Sequence, residues 1–149
     1  MKLINTLKTG EIKVLKRVES IMELNGIWII ARTLLATVFL SSGAAKMIDF
    51  QGGMSEMRAA GLHPDWLFNI VTALLLLISS LFIILDKALW VGMVALSIFL
   101  LLTIVVVHRF WNMPQPDSTQ AMFWAVEHVS LVGGLLSAAI ASRSRRKLI

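Results

Sequence analysis

The chain has 149 residues, of which 57% are hydrophobic and 15% charged, and its mean hydropathy is +0.79. Soluble domains carry about 25% charged residues, so apolar residues gathered in long runs exclude an ordinary water-soluble domain and point to a lipid bilayer. The net charge of +5 is read as membrane orientation and attraction to anionic lipid rather than nucleic-acid binding; the absence of cysteine excludes disulfide exchange, thiolate catalysis, iron–sulfur clusters and covalent haem attachment.

Residues 1–26 are basic and amphipathic. Leu3, Leu7, Val14, Val18 and Ile21 share one helical stripe, extended by Ile4, Leu15 and Met22, while Lys2, Lys8, Lys13, Lys16 and Arg17 spread around the rest. The pattern predicts a helix lying on the membrane surface. A soluble helix packed on a partner and a signal peptide are the alternatives. A long basic lead and three further apolar runs favour an uncleaved first span.

Four spans follow, at about 27–45, 66–85, 89–107 and 123–141, with a basic tail at 143–149. Each is close to the roughly 20 apolar residues that cross the hydrocarbon layer. The fold class expected is therefore all-α: an integral membrane four-helix bundle with an N-terminal amphipathic interfacial helix and a single membrane domain over 27–142. Four spans put both termini on one side. That side carries ten basic residues, including Lys87 and the four of the tail, against Lys46, Arg58 and Arg109 on the other. The bias predicts cytoplasmic termini. Trp66, Trp111 and Trp124 then lie near the outer interface, with Trp28 and Trp90 near the inner one.

Span one contains Arg32, roughly 8 Å inside the helix. A charge at that depth is costly and turns to protein or water. Glu23, Asp86 and a lipid phosphate are its candidate partners, and snorkelling to the interface is the plainer alternative. Lys46 lies fourteen residues later, near four helical turns, so Arg32, Phe39 and Lys46 mark one stripe with Gly43 beside it. In the first outer loop, Asp49 can cap a short helix, Gly61 can end it and Pro64 can begin the next, and Met54 and Met57 give that helix an apolar side. The second outer loop, from Arg109 to Ala121, holds Pro114 and Pro116 and is expected to be irregular.

Polar chemistry collects at the outer ends. His108 ends span three and His128 lies one turn inside span four, so the two could meet if those helices are neighbours. Such a pair can bind haem iron or a metal, or relay protons, but the spacing matches no recognised metal pattern, and no metal site is expected. Glu127, at the edge of span four, is the best proton-handling candidate, against its reading as a helix-start glutamate. Gly43, Gly61, Pro64, Gly133 and Gly134 are read as packing positions, the small ones within spans letting helices approach closely.

Taken together, Arg32, then Phe39-Leu-Ser-Ser-Gly43-Ala-Ala-Lys46-Met-Ile-Asp49-Phe50, then Gly61-Leu-His-Pro64 and His108-Arg-Phe-Trp111 resemble the DoxX family of small bacterial inner-membrane proteins. The resemblance runs from about Ile27 to Ser142. It implies four transmembrane helices and the matching positions Arg32, Gly43, Lys46, Asp49, Phe50, Gly61, Pro64, His108 and Trp111. It also implies association with membrane oxidoreductase assemblies, some linked to quinone. Many members carry a glutamate in the second helix, whereas span two here has no acidic residue before Asp86. The first functional expectation is an accessory or quinone-interacting subunit of such an assembly, with quinone rather than haem as cofactor. His108, Trp111 and Asp49 would then line an outer pocket. The alternatives are a non-catalytic anchor for partner proteins and a small oligomeric transporter.

Overall fold

The computed structural model describes residues 13–21 and 24–147, and the expected stripe residues Leu3, Ile4, Leu7 and Met22 lie outside them. Residues 13–21 are helical, with Val14, Leu15, Val18 and Ile21 all exposed. The bundle follows as α1 (Asn25–Ile48), a short α2 (Phe50–Ala59), α3 (Asp65–Leu85), α4 (Leu89–Val106), a 3-10 turn (Phe110–Asn112) and α5 (Asp117–Arg146). No strand occurs among the described residues.

Four of these helices are long and apolar enough to cross a bilayer, and the protein is a multi-pass membrane protein. Its surface argues the same way. Leu34, Ile140 and Val105 are 69%, 68% and 58% exposed, and similar residues line every span. That much apolar surface would be untenable in water and is ordinary against lipid. Within the bilayer each peptide group must be paired inside its own segment, which is why every span is a helix.

Three of the four spanning helices extend beyond the boundaries expected from apolar runs alone, and α4 ends one residue short. The first begins two residues earlier and ends three later, and the last begins at Asp117 rather than near 123. Residues 143–146 of the expected basic tail continue α5. At about 1.5 Å per residue, a 30-residue helix outruns the roughly 30 Å hydrocarbon layer, so its charged last turn stands clear of the apolar region. The second loop is also more ordered than expected. Its 3-10 turn is tied down by Ser118 Oγ, which donates to the Phe110 carbonyl at 2.8 Å.

α1 packs along α3, α3 against α4 and α4 against α5, while α5 meets α1 over a narrower seam. Ala36, Phe39, Leu76, Ile83, Leu96 and Leu135 fill the centre. Two glycines set the approach distances. A Cβ on Gly43 would lie 2.9 Å from Leu77 Cγ, and one on Gly92 would lie 2.8 Å from the Ser79 carbonyl oxygen. Small residues at such crossings let backbones close together where no hydrophobic drive between helices exists. Among the described residues nothing lies within 4 Å of the Cβ position of Gly133 or Gly61, and Gly134 makes only ordinary contact with Leu35.

Candidate functional site

Polar side chains gather at three places, one on the termini side of the bundle and two on the opposite side. The termini-side cluster begins with Arg32, which the α1 stripe turns inward and leaves 7% exposed. Its Nη1 lies 3.5 Å from Asp86 Oδ2 and donates to the Ile83 carbonyl at 3.4 Å, and its guanidinium stacks over Trp28 at 5.3 Å. Of the partners considered for Arg32, Asp86 meets it, whereas Glu23 lies outside the described residues; the guanidinium is buried rather than snorkelling to the surface.

Asp86 accepts two further bonds, from Trp28 Nε1 at 3.0 Å and from Ser142 Oγ at 2.7 Å. It can do so because the α3–α4 turn is left-handed at Asp86 (φ 55°) and Ala88 (φ 50°), which bends the carboxylate back toward the bundle. Burial pushes this carboxyl up. The bonds from Trp28 and Ser142, with the charges of Arg32 and Arg146, outweigh that effect and hold it below the ordinary aspartate range. Arg146 donates to Ser142 at 2.8 Å and Arg145 to Asn25 at 2.9 Å, so the last turn of α5 is sewn to the start of α1.

On the opposite side, Asp49 caps α2 as expected, accepting from the Gly52 N–H at 2.9 Å. Gly61 ends that helix with φ 76°. The Gly61 N–H bonds the Arg58 carbonyl and the Leu62 N–H bonds the Met57 carbonyl, a Schellman close that a Cβ would strain. Pro64 stands just before α3 as its N-cap rather than inside it. Lys46 pairs with Glu56 across the α1–α2 corner, and Arg58 pairs with Asp65 at 2.8 Å. Phe50, half-buried, opens α2. Beneath them Asn69 is fully buried and donates to the Lys46 carbonyl at 3.2 Å, supplying a partner for one of the unpaired carbonyls at the end of α1. Its Oδ1 is buried without a hydrogen bond and lies 2.2 Å from where a Cβ on Gly53 would be. A side chain there would force the Asn69 amide to shift.

The third cluster joins α4 to α5. The His108 ring meets His128 edge-on at 5.0 Å and Trp124 at 5.1 Å. Trp124 and His128 are one turn apart on α5, so they bracket the ring that closes α4. His128 Nδ1 is buried, near the Trp124 carbonyl but without a well-formed hydrogen bond. Trp124 stays 44% exposed.

The structure separates residues that the expected outer pocket combined. Asp49, Phe50 and Lys46 belong to the α1–α2 corner, and α2 makes no contact with α4 or α5. Trp111 stacks edge-on with Phe110 at 5.0 Å rather than joining His108. Glu127 is exposed and pairs with no cation among the described residues. Sequence reading missed Asn69, Glu56 and Ser142. A lone Asn in an apolar run carries a signal, because such a group must find a partner in lipid. Glu56 and Ser142 carry none until the helices are placed.

A family pattern described as DoxX matches residues 27–109, more than half of the chain. The chain belongs to the DoxX family. The match to DoxX spans α1 through His108 and Arg109 and stops before Trp111, short of the Ser142 reach of the resemblance. The Arg32 stripe, the α2 corner and His108 therefore lie in the DoxX part, while Trp124, His128 and Ser142 come from the helix beyond it. No curated protein and no solved structure matches the chain.

Proposed function

We propose that this DoxX protein is a quinone-interacting accessory subunit of a membrane oxidoreductase system, which holds the quinone ring at His108, Trp124 and His128. The observation that carries this reading is the pair of imidazoles in edge contact at 5.0 Å beside an indole left exposed. A quinone needs an apolar slot reached from the bilayer and one or two hydrogen-bond donors for its carbonyl oxygens. An imidazole N–H supplies the donor, and the Trp124 face supplies a stacking surface. The other two clusters support the site by fixing the bundle: Arg32 with Asp86 closes one end, and Asn69 with Lys46 closes the other. The positive charge on the termini side supports a bacterial inner membrane with both termini cytoplasmic.

Quinone titration of the purified protein, read by Trp fluorescence, tests the reading. Saturable quenching is expected, with affinity falling roughly tenfold in H128A and H108A, the worth of about one hydrogen bond in an apolar site. Unchanged binding in both variants contradicts it.

One observation favours a second reading, a non-catalytic anchor for partner proteins. Only 11% of the apolar window of α5 is buried within the chain, against 33% for α3. A stoichiometric protein partner recovered in purification, with no quinone binding, would select that reading.

A further inference from the structure

The last turns of α5 and the first turn of α4 enclose a groove of about 630 Å³ on the termini side, beside the Arg32–Asp86 cluster, with which it shares only Arg146. Trp90, Ala139, Ile140, Arg143, Arg146 and Lys147 line it. The five α5 residues fall at spacings that keep them on one face of the helix. The apolar members come first along that face and the cations one to two turns later. The groove therefore grades from hydrocarbon to charge over a single helix face, in the same direction as a bilayer leaflet.

Its two halves are open in different ways. Ile140 and Trp90 are 68% and 63% exposed, and Leu136, one turn deeper on the same face, is 53% exposed, so the apolar half is continuous with the lipid-facing surface. At the charged end, Arg146 spends one N–H on Ser142. Arg143 and Lys147 form no ion pair with any described carboxylate, and Asp86, the acid of the adjoining cluster, is already engaged by Arg32, Trp28 and Ser142. No acidic residue lines the groove among the described residues. The polar end is built for an anion, and the walls behind it are built for a chain.

We infer that this groove is a binding site for an anionic glycerophospholipid, with the headgroup phosphate held by Arg143, Arg146 and Lys147 and an acyl chain lying along Trp90, Ala139 and Ile140. Basic pockets between spans at a membrane interface have the charge and shape for such headgroups, and the volume is that of a small-molecule site. Trp90 suits the boundary, where one edge of an indole is wet and its body is apolar. A free phosphate would satisfy the cations and leave the apolar half unused; a neutral lipid would fill the apolar half and leave three cations unpaired.

Native mass spectrometry of the full chain, titrated in detergent with phosphatidylglycerol, phosphatidylcholine or inorganic phosphate, tests the site. One phosphatidylglycerol per chain is expected, held roughly tenfold or more above phosphatidylcholine, which corresponds to the attraction of two or three basic side chains. The R143Q/K147Q variant should bring the two lipids level, while R58Q/R109Q, which removes the same charge on the opposite side, should keep the preference. Equal retention of the two lipids by the unaltered chain, or an unchanged preference in R143Q/K147Q, overturns the proposal. So does displacement of the lipid by millimolar inorganic phosphate. If R143Q/K147Q does not fold, a second readout remains: spin-labelled phosphatidylglycerol should quench a fluorescence component lost in W90F, and equal quenching in W90F refutes the site.

Discussion

Arg32 and Asp86 are bound into one cluster tightly enough that their substitutions should not behave independently. Asp86→Asn leaves a buried guanidinium with the Ile83 carbonyl and the Trp28 face for company. Removing one partner of a buried pair costs about 3 kcal/mol, somewhat less here because Asp86 is partly exposed. Replacing both, as in Arg32→Met with Asp86→Asn, should recover most of that loss, because no uncompensated charge remains. Thermal unfolding of the three variants in detergent measures the cycle. The pH dependence follows from the depressed Asp86 carboxyl. A carboxyl lowered on folding stabilises fully above its unfolded value near 4 and loses that contribution as pH falls through the folded value. The gap between the unaltered protein and Asp86→Asn should stay constant down to about pH 5 and close in stronger acid. Of this cluster, the sequence made Arg32 legible through its depth in an apolar run, with Asp86 among its candidate partners. Ser142 was not legible, because a serine in a helix carries no mark of what faces it until α5 is set beside the α3–α4 turn.

At the scale of the helix, glycines separate by what stands opposite them. Gly92→Ala would drive a methyl to 2.8 Å from the Ser79 carbonyl oxygen, which is backbone and cannot step aside. It should destabilise by about 1–3 kcal/mol, as overpacking does. Gly133→Ala meets nothing and should change stability by less than about 0.5 kcal/mol in the isolated protein. Denaturation of the two variants side by side checks the contrast, and equal losses would contradict the packing described. Sequence reading assigned Gly133 to packing and passed over Gly92, since both are small residues in apolar runs and only the neighbouring helix distinguishes them. The loops were read better. Asp49 as a cap and Gly61 as a terminator are local rules, decided within a few residues. The length of α5 was misjudged because hydropathy marks where lipid begins and not where the helix ends.

Across the whole molecule, the four spans were legible because each is a long apolar run, and the apolar surface that the bundle leaves exposed agrees with lipid on all sides. The division of polar residues among three clusters was not legible, because it depends on which helices are neighbours. The proposed quinone and lipid sites require four crossings and the proposed orientation, with both termini on the cytoplasmic side. That arrangement sets the depth of His108 and His128 and the leaflet that Arg143 and Lys147 face. The absence of native cysteine makes a direct measurement clean. Single cysteines at Gln115 and Ser144 can be probed in intact cells with a membrane-impermeant maleimide. The account predicts that Gln115→Cys is labelled at once and Ser144→Cys only after the membrane is permeabilised. Labelling of Ser144→Cys in intact cells, or of both positions from the same side, would contradict it.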